Sequence, residues 1–128
     1  MARKPGALAF AAVELDPDGR LWDVTLILVE PDLPISVIEV SEYKATGRDD
    51  LKSVLLAEGT YPVTGLAVDL WLGVGLANEL SPYIPDVALC RLPARAEREA
   101  ESTGDRNHRR ALAMAERYLT ASTHGRKP

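Results

Sequence analysis

The stretch RLWDVTLILVEPDLPISVIEVSEYK, residues 20–44, decides the fold. Arg20 to Glu30 is dense in β-branched and large apolar side chains, and Pro-Asp-Leu-Pro at 31–34 stops it, because proline donates nothing to a central ladder. Ile35 to Tyr43 then returns as the next strand. Val24, Leu26 and Leu28 fall on one face and Ile27 and Val29 on the other, so the sheet is covered on both sides. With a four-residue loop, Glu30 faces Ile35 and Asp23 stands opposite Glu42. Lys44, two positions farther along, projects to the same face.

Upstream, ALAFAAVEL (7–15) is a short apolar strand, and DPDG (16–19) turns it into the hairpin. Downstream, GRDDLKSVLLAEG (47–59) changes period: Leu51, Val54 and Leu55 recur at helical spacing, Asp49 and Asp50 suit the positive end, and Gly59 suits the stop. GLAVDLWLG (65–73) and PDVALCRLP (85–93) read as a fourth and a fifth strand, with Gly73 and Gly75 as turn residues. Between them ANELSPYIP (77–85) reads as a loop or one helical turn, since Pro82 and Pro85 exclude more. The last third is helical: ARAEREAE (94–101), a break at STG (102–104), then a helix capped by Asp105 with an apolar stripe of Leu112, Ala115, Tyr118 and Leu119. The expected class is α+β in the order β-β-β-α-β-β-α-α: a three-strand antiparallel meander, a crossing helix, further strands and C-terminal helices. Residues 1–92 form the core domain, and residues 93–128 a helical extension with a basic tail, packed on the core or on a partner chain.

At 128 residues, 46% hydrophobic and 27% charged, the composition is that of a soluble globular domain. Residues 1–90 hold 6 Lys/Arg against 14 Asp/Glu, a net of −8, whereas residues 91–128 hold 9 against 5, a net of +4. An acidic body argues against broad, sequence-independent nucleic-acid binding, which needs a basic surface. Arg106, Arg109, Arg110 and Arg117 on the last helix remain candidates for contact with phosphate or with an acidic partner. The same helix reads first as a surface helix packed through its apolar stripe and otherwise as a seam between copies, and a homo-oligomer is the expectation.

The opening MARKPGALAFAAV is too short for a secretory leader, and the apolar run 65–77 contains Asp69 and falls short of the roughly 18 residues a membrane span needs. No membrane partner is expected. Cys90 has no disulfide partner and reads as a small buried hydrophobe, which fits a cytoplasmic protein. Trp22 and Trp71 read as core anchors. His108 and His124 lack cysteine companions, so no zinc site is expected.

Asp23, Glu42 and Lys44 carry the chemistry. Two carboxylates on adjacent strands supply hard oxygen ligands for Mg²⁺ or Mn²⁺, and a lysine beside them stabilises charge growing on a phosphate. Over residues 20–60 this pattern resembles the PD-(D/E)xK nuclease superfamily, with Asp23 at the start of one strand, Glu42 and Lys44 as the acid-x-Lys triplet on the next, and a helix following. That resemblance implies a metal-dependent nuclease in which Asp23 and Glu42 hold the metal and Lys44 is catalytic. FAAVELDPDGRLW followed by EPDLP and a helix, within residues 9–59, is similar instead to the HicB antitoxins, with a partial RNase H-like domain. It implies a non-enzymatic protein, antitoxin-like or regulatory, that binds a protein partner. Full RNase H-like nucleases share the same starting order but place an aspartate inside the first strand, where this chain offers Glu14 near the end.

Overall fold

A computed structural model of the chain describes residues 6–15, 20–56, 63–91 and 93–125. Leu8–Leu15 forms β1, Trp22–Val29 β2 and Val37–Ala45 β3, followed by helix α1 (Arg48–Leu55), β4 (Val63–Asp69), helix α2 (Leu70–Leu80), β5 (Asp86–Cys90), helix α3 (Arg95–Ala100) and helix α4 (Thr103–Gly125). The α+β class holds. The order gains a helix between the last two strands, because the expected fourth strand ends at Asp69 and its remainder belongs to α2. That run is apolar on all sides and carries no period that separates strand from helix. Pro82 and Pro85 lie beyond the helix end, where the Ser81 N–H donates to the Ala77 carbonyl at 2.9 Å. They limit the helix without preventing it, and Gly73 and Gly75 sit inside it. Gly59, the expected stop of α1, lies outside the described residues.

The five strands form one sheet in the order β3-β2-β1-β4-β5. β1, β2 and β3 make the antiparallel meander, while β4 runs parallel to β1 and β5 parallel to β4. Parallel neighbours need crossovers, and α1 and α2 supply them on one face. There Leu51, Leu55, Leu76 and Leu80 pack on Val13, Val24, Leu66 and Val68. α4 covers the opposite face, where Ala111, Met114 and Ala115 meet Phe10, Ile27, Val29 and Ala67. Of the two expected faces, Val24 and Leu26 join the first core and Ile27 and Val29 the second, while Leu28 is buried. Gly65 makes room for the Phe10 ring under α4: a Cβ there would stand 2.8 Å from Phe10 Cδ1. Of the expected stripe, Ala115 and Leu119 are buried and Leu112 and Tyr118 pack at its edge. Ser102, in place of Asp105, caps this helix, its hydroxyl accepting the Asp105 N–H at 3.1 Å. Among the described residues no helix is long and apolar enough to cross a membrane.

The β2–β3 register departs from the four-residue loop. The Glu30 N–H donates to the Ser36 carbonyl at 3.0 Å and Val29 pairs with Val37, so the loop slides the strand by one residue. A bulge between Leu28 and Val29 then adds a second. One slip would turn every side chain of β3 to the other face, and two restore it. Asp23 therefore stands opposite Lys44, and Glu42 opposite Thr25.

Candidate functional site

Because the double slip preserves parity, Asp23, Glu42 and Lys44 still share one face. Together with Thr25, Thr103 and Gly104 they line a cleft of about 420 Å³ beside the start of α4. Lys44 Nζ donates to Asp23 Oδ1 at 2.6 Å, with the lysine side chain 66% exposed. Asn107, buried in α4, donates through Nδ2 to the Asp23 carbonyl at 3.0 Å and fixes β2 against the helix. Glu42 lies over Gly104, where any Cβ would come within 2.7 Å of its Oε1. An ion held by Asp23 would compete with the Lys44 ammonium for Oδ1. Among the described residues no three His, Cys, Asp or Glu side chains are grouped to hold such an ion. The donor set thus fits a salt-bridged strand end better than a resident hard cation, which gathers several oxygen ligands.

A second charged cluster lies deeper and escaped the sequence. Glu14 on β1 and Asp69 at the end of β4 are both buried, on neighbouring parallel strands under α4. Arg106, 2% exposed, grips Glu14 at two points, Nε to Oε2 at 2.7 Å and Nη2 to Oε1, and its Nη1 donates to the Glu101 carbonyl at 3.0 Å. Arg110 Nη1 bridges Glu14 Oε2 and Asp69 Oδ1, each at 3.2 Å, while its Nη2 donates to the Arg91 carbonyl at 3.0 Å. Two carboxylates thus face two guanidinium groups. Burial, and next the neighbouring Glu14 charge, push the Asp69 carboxyl above its ordinary range despite Arg110. The Glu14 bond holds the Arg106 guanidinium above its ordinary value. Glu14 is the acid that an RNase H-like reading would use, and here both its oxygens are taken by arginines. The available signal was an acid in each of two apolar stretches, AAVEL and LAVDL.

The arginines read as candidate contacts are likewise engaged. Arg106 turns inward instead of decorating the surface. Arg109 pairs with Glu101 at 2.8 Å, and Arg117 with Asp86 at 2.8 Å. Cys90 is half-buried, and burial raises its thiol pKa, opposite to what a nucleophile needs.

What the fold leaves most open is β3, one of the two edge strands: α1 meets it and the start of α4 reaches Glu42, but most of its side chains are exposed. Leu33, Val37, Ile38, Val40 and Tyr43 are each at least 38% exposed, which concentrates most of the large exposed apolar side chains in one loop and strand. Compared with protein-family models, curated proteins and solved structures, the chain matches none.

Proposed function

We propose that this chain is a non-enzymatic partner-binding module, antitoxin-like or regulatory, whose contact surface is the β3 edge. The open apolar strand carries the reading. An edge strand presents a row of unpaired N–H and C=O groups, and natural proteins blunt such edges with charge, proline or a covering helix. This one is nine residues long with apolar groups left open, the form that strand addition uses: backbone bonds for affinity, alternate side chains for specificity. The acidic body suits a basic partner by electrostatic complementarity. Both carboxylate clusters have basic companions, so neither reads as a poised catalytic centre.

The test places a photocrosslinking amino acid at Val40, with a control at Ala113 on the outer side of α4, and assays the purified protein on DNA and RNA with Mg²⁺. A discrete adduct at position 40 alone, with no hydrolysis, is expected. Absence of any adduct, or hydrolysis that Asp23→Ala abolishes in a folded protein, overturns the reading. A metal-dependent nuclease is the second reading, favoured by one observation: Asp23, Glu42 and Lys44 line a single cleft. Calorimetric binding of Mg²⁺ or Mn²⁺ that disappears in both Asp23→Ala and Glu42→Ala would bring it to the front.

A further inference from the structure

We infer that the partner on the β3 edge is a second copy of this chain, paired antiparallel about a two-fold axis at Tyr43. The inference rests on the reading of that edge as a contact surface and names its occupant.

A two-fold axis normal to the sheet keeps α4 of both copies on one face, so each register is defined by the residue that meets itself. Charge and the bulge remove the alternatives. Centring on Glu39, Glu42 or Lys44 sets like charges directly opposite, which is destabilising. Centring on Val40 or Ser41 carries the pairing through the irregular Val37–Ile38 segment and places Glu42 against Ile38 or Val40 of the other copy. Val37 and Ile38 lie in that irregular segment and Ala45 is the last residue of the strand, which leaves Tyr43 as the centre. There Glu42 of each copy meets Lys44 of the other, Ser41 meets Ala45, and the pairing stays within the regular part of the strand.

The local chemistry agrees. Among the described residues Glu42 has no cationic partner within its own chain, while Lys44 extends from the strand with its side chain largely exposed. Across the axis the two glutamates gain two ammonium groups. On the opposite face Tyr43, paired with Val24 in its own sheet and 45% exposed, meets its own copy, the geometry in which aromatic pairs add to strand pairing. The five-stranded sheets become one continuous sheet, and each cleft gains a wall from the other copy.

Analytical ultracentrifugation of the full chain tests this. The wild type is expected to be a dimer, and Glu42→Lys and Lys44→Glu are each expected to weaken it at least tenfold. A one-to-one mixture of the two variants is expected to restore it, because each then meets opposite charge at both positions. In a Cys90→Ser background, Tyr43→Cys is expected to give a reducible covalent dimer, since directly opposed strand residues lie about 4.5–5.5 Å apart at Cα, within disulfide reach. Ser41→Cys is expected to give none. A wild type that sediments as one chain, a mixture that stays monomeric, or a Tyr43→Cys protein that forms no link overturns the inference. A monomer that still gives the Val40 adduct leaves the partner-binding reading standing with a different occupant. A monomer without the adduct overturns both.

Discussion

Arg106 on α4 and Glu14 on β1, 92 residues apart in the chain, meet in a buried two-point contact with Nε donating to Oε2 at 2.7 Å. The last helix is thereby held to the central strand by an ion pair as well as by Met114 and Ala115. Removing one member of such a pair leaves a charge in the interior. Arg106→Met is expected to destabilise the protein by about 3–5 kcal/mol, toward the lower figure because Arg110 stays near Glu14. Urea unfolding checks this, and a midpoint equal to that of the wild type would show that the contact contributes nothing.

Asp69 gives a pH signature. Its carboxyl is raised above the ordinary 3.8, first by burial and then by the Glu14 charge. The folded state therefore holds the proton more tightly than the unfolded chain does. The stability this group contributes is complete below the ordinary value and is lost as pH rises through the raised one. Asp69→Asn removes that loss while keeping an oxygen for Arg110. The difference in unfolding free energy between variant and wild type is expected to grow in favour of the variant from acidic to neutral pH. A pH-independent difference would contradict it.

Two glycines in close contacts are expected to respond oppositely to alanine. At Gly65 a Cβ meets the buried Phe10 ring at 2.8 Å, so Gly65→Ala overpacks the core under α4 and costs about 1–3 kcal/mol. At Gly75 it meets Arg48 Nη2 at 2.9 Å, the far end of a flexible and half-exposed side chain that can move aside. Gly75→Ala then gains helix propensity of up to about 1 kcal/mol, because the Arg48–Glu79 pair it disturbs is a surface one. Thermal unfolding of the two variants should move to opposite sides of the wild type.

The Asp23–Lys44 pair is a milder matter. Asp23→Ala is expected to cost no more than about 1 kcal/mol, since Lys44 remains in water when the pair is lost. A loss several times larger would mean that the cleft, and not the pair, depends on Asp23.

The β2–β3 hairpin was legible because β-branched residues and a Pro-Asp-Leu-Pro stop coincide, and strand alternation put Asp23, Glu42 and Lys44 on one face. Their pairing was not legible. No glycine or proline marks the bulge at Val37 and Ile38, and a bulge shows itself only when both strands are in place. α2 was hidden for a different reason, the absence of a polar side in LWLGVGLANEL. The buried Glu14, Asp69, Arg106 and Arg110 cluster depends on β1 standing beside β4 and on the path of α4 across them, neither of which is written in local spacing. What the sequence did show was the raw material: two acids in apolar strands and an arginine-rich helix with no acidic surface assigned to it.

The central position of β1 sets an order of synthesis. It precedes the other four strands of its sheet, yet its ladder is completed only by β4, and the charge on Glu14 is answered only by a helix that begins at Thr103. Until then Phe10, Ile27 and Val29 lie on a bare sheet face with two unanswered acids at its rim. Closure comes late, by contacts distant in sequence, the kind that slow folding and leave apolar surface open while it proceeds.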